Sequence, residues 1–279
     1  MRNGIVLAVL LICLGSIVAG HFHWENKIAS TGQEIQATNI ASLNEQAPVK
    51  SQVEDQDEQN DDQGAQLAAE YANQLPSPLK EAVLQKVTSG EQVRFLIVGS
   101  KGLTGESAWP NILQEEMKKY YGDTFEFYIQ EITDHTSSKV VEQQLHLLDE
   151  IVPDVVLLDP FVIEDNYGLV QMSRRFANIN EMINGYKEQN EEVVMLIQPS
   201  MPLYGARNYP REIEALQKFA EQQSYLYLNH WTNWPHHNDV EFKQYVSDDT
   251  QHPNEVGNNA WAEYLLRFFT GDEIEDSID

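Results

Sequence analysis

The sequence predicts an α/β protein, a three-layer α/β/α sandwich with a central parallel sheet. Three observations carry this expectation. Short aliphatic runs without polar alternation recur at 93–98 (VRFLIV), 155–158 (VVLL) and 193–197 (VVMLI), as in strands covered on both faces. Between them lie stretches with apolar residues at helical spacing, such as Ile112, Leu113, Met117 and Tyr120. Strand-like and helix-like segments alternate from about residue 76 instead of segregating, which is the order of an α/β sheet.

Taken in order, residues 1–20 place Arg2 before a mostly apolar run over 5–19, the pattern of a secretory signal. The run is slightly short for a span of about 20 residues, so a cleaved signal and an uncleaved membrane anchor are both open. Either would put the rest of the chain outside the cytoplasm. Cys13 follows Ile12 instead of a small residue, which argues against lipidation. Residues 21–75 read as an acidic, low-complexity linker, with a short helix over 63–73. EF-hand periodicity is absent from its acidic run at 54–62, so a calcium-collecting tract is disfavoured. His21 and His23, beside Phe22 and Trp24, read as an interface patch next to the apolar run.

The folded segment, 76–270, then offers a strand at 93–98, a helix at 109–121, a strand at 125–132 and a helix at 139–150. After Pro153 and Asp154 come a strand at 155–158 and a helix at 172–188. A strand at 193–197, a helix at 212–223, a short strand at 225–228 and a closing helix at 260–269 complete it. The last residues, 271–279, form an acidic tail.

The net charge of −26 over 279 residues narrows the partners. Nucleic-acid binding needs a basic surface to replace counterions, so it is excluded as a general role. Residues 71–270 hold 29 acids against 15 bases, while the flanks at 21–70 and 271–279 together hold 15 acids against two. Much of the charge therefore belongs to the expected linker and tail. The single cysteine excludes an intramolecular disulfide and a Cys₄ zinc site, and places no thiol in the folded segment.

In a parallel sheet, functional groups gather beyond the carboxyl ends of the strands. The first strand runs into Gly99-Ser100-Lys101-Gly102-Leu103-Thr104, and a serine at such a turn is a candidate nucleophile. Neither GxxxxGK[ST] nor GxGxxG is present, which disfavours a phosphate-binding loop. Near the other end, Asp249 and His252 stand three apart, followed by Pro253, Asn254 and Gly257. A carboxylate in that turn can hold the imidazole tautomer that leaves Nε2 free to take a serine proton. Both features also have plain readings as surface turns.

Together these residues resemble the SGNH (GDSL-type) hydrolase family over about residues 90–270. The resemblance implies a flavodoxin-like sandwich and a catalytic set of Ser100, Asp249 and His252, with no metal or organic cofactor. Its strongest part is Asp249-Thr250-Gln251-His252-Pro253-Asn254 with Gly257. The first block is altered, because Gly99 stands where the family has an aspartate before the serine. The oxyanion donors implied are the backbone N–H of Ser100, an N–H of the Thr133–Asp134 loop, where the family's glycine is missing, and the amide of Asn166. Asn166 fits only if the loop after the third strand is a few residues longer than the family's. An α/β-hydrolase elbow fails, since Val98 stands where it needs glycine.

Among other candidates, Trp231 and Trp234, with His236 and His237, form an aromatic loop that stacks on substrate or caps the sheet. A metal held by these histidines lacks a HExxH or HxxEH pattern. Arg174 and Arg175 read as a solvated helix face. The expectation is an extracytoplasmic serine esterase acting on a small-molecule or glycan ester, with O-acetyl groups on an envelope or extracellular glycan as its substrate. A catalytically weak SGNH-like binding module is the alternative, motivated by the divergent second and third blocks.

Overall fold

A computed structural model describes residues 54–148, 150–248 and 252–271, excluding the side chains of 54–62. The expected signal or anchor, Cys13, His21, His23 and most of the linker lie outside the described residues, as does nearly all of the acidic tail. Among the described residues, no helix is long and apolar enough to cross a membrane.

Five strands, β1 (Val93–Gly99), β2 (Phe125–Glu131), β3 (Val155–Leu158), β4 (Val194–Ile197) and β5 (Leu226–Tyr227), form one all-parallel sheet in the order β2-β1-β3-β4-β5. Their bounds lie within about two residues of the sequence reading because unbroken aliphatic runs have one low-energy place, between two helical layers. β1, β3 and β4 are almost wholly buried. Right-handed crossovers in this order send helices to opposite faces. α3 (Trp109–Tyr121) packs with the closing helix α8 (Glu255–Thr270) on one face. The other face carries α4 (Ser137–Glu142) with α6 (Met172–Gln189), and α5 (Val162–Tyr167) with α7 (Tyr209–Gln222).

Two further helices, α1 (Glu54–Ala72) and α2 (Leu79–Ser89), precede β1, and α1 packs on α3 and α8. The structure differs here from a linker running to residue 75. Ala68, Ala72 and Leu75 are buried, and Tyr71 meets the ring of Tyr120 edge-on at 5.1 Å. Averaging composition over 21–75 hid this seam, because alanines contribute little hydropathy yet let a helix approach closely. The helix expected at 139–150 is shorter, since Gln144 takes φ 52° and breaks it. α5 went unread because six residues are too few to show periodicity.

α8 is the clamp between the helical layer and the loops beyond β4 and β5. Trp261 stacks on Trp109 at 4.9 Å and on His230 at 3.8 Å, and its indole N–H donates to Gln198 Oε1. Asn258 Oδ1 accepts from the N–H of Trp109, the first residue of α3, satisfying one orphan donor there.

The packing of α1 yields a test. Ala72→Asp places an unpaired carboxylate in the α1 seam and is expected to lower unfolding free energy by about 3 kcal/mol. A urea midpoint unchanged from the parent protein would mean that this helix is not part of the domain.

Candidate active site

The order β2-β1-β3 puts the topological switch point at β1, where the chain leaves to one side for β2 and returns to the other for β3. Ser100 follows β1 directly. It lines a cavity of about 560 Å³ together with Lys101, Ile163, Glu164, Tyr167 and His252. Met201, Leu203 and Tyr204, beyond β4, complete the wall. Residues about 150 positions apart in sequence thus share one cavity, as the two motifs require.

Register explains how the serine turn is held. Gly99 pairs with Glu131, so the Glu131 carboxylate lies beside the loop that follows Ser100. Its Oε2 accepts from the N–H groups of Gly102, Leu103 and Thr104 at 3.0, 2.8 and 3.1 Å. Three successive amides around one anion form a nest, which fixes the loop without using a side chain of the loop itself. On the other side, Leu158 pairs with Val98, bringing Asp159 against the turn. A Cβ on Gly99 would fall 2.6 Å from Asp159 Cβ, so only glycine fits there. Ser100 Oγ donates to Asp159 Oδ2 at 2.9 Å, and Ser200 Oγ donates to Asp159 Oδ1. The Phe161 N–H donates to the same Oδ1 at 3.1 Å, closing an Asx turn that holds Phe161 at φ 62°.

His252 is held by the turn before α8. Its carbonyl accepts from the Ser247 N–H at 2.9 Å, and Pro253 bridges antiparallel to Val246. Asn254 caps α8 by accepting from the Gly257 N–H, while its own amide donates to the carbonyl of Gln244. Gly257 is required by contact, since a Cβ there would lie 2.2 Å from the Tyr245 carbonyl oxygen and 2.7 Å from the Trp234 ring. His-Pro-Asn-x-x-Gly is therefore a built turn that delivers a half-buried imidazole to the cavity. Asp249 lies outside the described residues.

No protein-family model matches the chain, and no curated protein matches it by sequence. Solved structures do match. A protein assigned to the G-D-S-L lipolytic family, from Desulfitobacterium hafniense DCB-2, aligns with 63% of this chain and 99% of its own at TM-score 0.53 and 17% identity. A carbohydrate esterase of family 3 from Talaromyces cellulolyticus aligns with 63% of this chain and 95% of its own, at TM-score 0.52 and 14% identity. An acetyl esterase variant solved with an acetate ion aligns over the same shares at TM-score 0.53 and 13% identity. The chain has the fold of the GDSL-type hydrolases.

Within that fold, the remaining candidates take different places. Asp134, at φ 60°, turns its carboxylate outward to Lys101 at 2.8 Å, and the hydrogen bond from that ammonium holds it below the usual carboxylate range. Asp134 is not among the residues lining the Ser100 cavity. Asn166 lines a neighbouring cavity of about 230 Å³ with Arg207 and Asn208, and is not among the residues lining the Ser100 cavity. Trp231 and Trp234 line a third cavity, with His236 and His237. Both rings also take part in packing. Trp234 is buried against Phe242 and Tyr245, and Trp231 donates to the Ser200 carbonyl at 2.8 Å. Arg175, expected on a solvated face, is buried and pairs with Glu212 at 2.7 Å. Among the described residues, no three His, Cys, Asp or Glu side chains gather as a metal site would need.

Sequence reasoning missed Glu131, Asp159 and Ser200, and the α5 wall. α5 is anchored by buried Asp165, which accepts from the Ser137 N–H at 2.7 Å and the Ser137 hydroxyl at 2.6 Å. Asn178 donates to that same hydroxyl from α6 at 2.7 Å. This network sets Glu164 and Tyr167 at the cavity. A polar residue directly after a fully buried strand was the available signal for Asp159, whereas Glu131 ends the half-buried β2.

The nest predicts a graded response. Glu131→Ala leaves three amides without their acceptor and is expected to cost about 1–3 kcal/mol of stability, with Glu131→Gln falling between it and the parent protein. Equal urea midpoints for all three proteins would remove the nest as a support of the Ser100 loop.

Proposed function

We propose that the protein is a serine esterase in which Ser100 is the nucleophile and His252 the general base. One observation carries the reading: Ser100, at the switch point of a GDSL-type fold, lines the same cavity as His252. In the acyl step, Ser100 Oγ attacks the ester carbonyl as its proton passes to His252, which then protonates the departing alcohol. Water, activated by His252, releases the acid in the second half. Asp249 is assigned to orient His252 from its place in the motif. The N–H of Ser100 is the donor nearest the new oxyanion, because it belongs to the nucleophile itself; in the resting site it donates to Asp159 Oδ2 at 3.4 Å.

The substrate proposed is an O-acyl group, acetyl in the first instance, on a neutral glycan. Supporting this, the cavity is small, and Tyr167 and Tyr204 offer flat faces at its wall. Two structures of the same fold are a carbohydrate esterase and an acetyl esterase. A chain of net charge −26 repels polyanionic glycans. The apolar run at 5–19 supports an extracytoplasmic location, either tethered or released.

The test uses the whole protein with p-nitrophenyl acetate and an acetylated oligosaccharide. Ser100→Ala and His252→Ala are each expected to lower kcat by about 10³-fold or more, with little change in KM. Rates in Ser100→Ala equal to the parent would refute the assignment.

A further inference from the structure

The group that touches the Ser100 hydroxyl is a carboxyl that acyl transfer does not itself require. Asp159 is 2% exposed, with Oδ2 at 2.9 Å from Ser100 Oγ and Oδ1 engaged by the Phe161 N–H and the Ser200 hydroxyl. Among the described residues, no lysine or arginine forms an ion pair with it. Tyr209 on α7 and Tyr227 on β5 face it, both kept neutral by burial, and Asp165 on α5 adds a second acid. Lys101, Glu164 and His252 lie around the cavity on the side of Ser100.

Two proton arrangements satisfy these contacts. If Asp159 is ionised, it accepts from the Ser100 and Ser200 hydroxyls and from the N–H groups of Ser100 and Phe161. The serine proton is then held away from His252. The negative charge also lies 3.4 Å from the Ser100 N–H, where an oxyanion must form. If Asp159 is protonated, Oδ1 still accepts from Phe161 and Ser200, and the acid O–H at Oδ2 donates to a lone pair of Ser100 Oγ. The serine keeps its own proton for His252. Burial, the largest influence, pushes the Asp159 carboxyl above its usual range, against the hydrogen bonds from Ser200 and Ser100.

We propose that Asp159 is a positioning residue for Ser100 that works in its protonated form, donating to Ser100 Oγ so that the serine proton faces His252. Ionisation of Asp159 turns the hydroxyl inward and silences the nucleophile. This rests on Ser100 being the nucleophile, and the device gives the site an alkaline loss of reactivity.

The experiment follows labelling of Ser100 by a fluorophosphonate, read as intact mass, from about pH 5.5 to about pH 9. In that reaction an Oγ–P bond forms, the P–F bond breaks, fluoride leaves and the serine proton passes to His252. Asp159→Asn keeps a donor toward Ser100 and an acceptor toward Phe161 and Ser200, and it cannot ionise. The ratio of its labelling rate to that of the parent is expected to rise about tenfold across this range, while Asp159→Ala labels slowly throughout. A flat ratio, or an asparagine variant as slow as the alanine one, overturns the proposal. So does a parent rate that climbs to an alkaline plateau without falling, which needs no variant at all. Ser100→Ala labelled as fast as the parent would overturn the esterase assignment together with this one. Labelling confined to Ser100 with a flat ratio would overturn the role of Asp159 alone.

Discussion

The missing side chain at Gly99 lets three strand ends converge. β1 is hydrogen-bonded to β2 on one side and β3 on the other, so Glu131 and Asp159 arrive at the serine turn from opposite edges. Asp159 can close on the turn because nothing projects from Gly99, where a Cβ would sit 2.6 Å from its own. The two acids then divide the work. Glu131 collects three loop amides, and Asp159 collects the Ser100 hydroxyl, the Ser200 hydroxyl and the Phe161 amide. A larger residue at 99 would displace Asp159 and so disturb Ser100, Phe161 and the start of α5 together.

Three buried aspartates show how the same side chain is accommodated in different ways. Burial pushes the Asp154 carboxyl up, but the forked hydrogen bonds of Arg94 and the nearby Lys86 outweigh it, and the result lies below the ordinary range. Asp165 accepts two bonds from Ser137, with the Arg175 guanidinium 3.9 Å away, and burial still prevails to raise it. Asp159 is also buried and relies on neutral donors. Hydrogen bonds from hydroxyls and amides stabilise a carboxylate less than a guanidinium does. The contrast between Asp154 and the other two therefore follows from partner chemistry.

The long-range parts of the fold were legible because they depend on burial. Aliphatic runs at 93–98, 155–158 and 193–197 could only be interior strands, and their alternation with helical spacing fixed a parallel sheet. Ser100 and His252 were legible because turn chemistry surrounds them: Gly99 before the serine, and Pro253, Asn254 and Gly257 after the histidine. What was hidden depended on register or on very short elements. Nothing in the sequence says that Gly99 pairs with Glu131, so the amide nest could not be foreseen. A six-residue α5 carries too little pattern to reveal that Glu164 lines the Ser100 cavity and Asn166 the neighbouring one. Trp231 and Trp234 stayed open between two readings because aromatic rings near a strand end serve packing and recognition equally well.

The acid load of the chain sets a condition on any chemistry at Ser100. Lys101 is the cation of the cavity wall, yet it is paired with Asp134 at 2.8 Å and lies 3.9 Å from Glu164, so its charge is already answered. An oxyanion formed beside it meets a wall with no spare positive charge among lysines and arginines. Stabilisation must then come from oriented neutral dipoles, foremost the Ser100 N–H, which act strongly only where water is excluded and no anion competes. A carboxylate 3.4 Å from that N–H would be such a competitor. With Ser100 as the proposed nucleophile, an uncharged Asp159 is the electrostatic condition for developing negative charge there, and deep burial pushes its carboxyl in that direction.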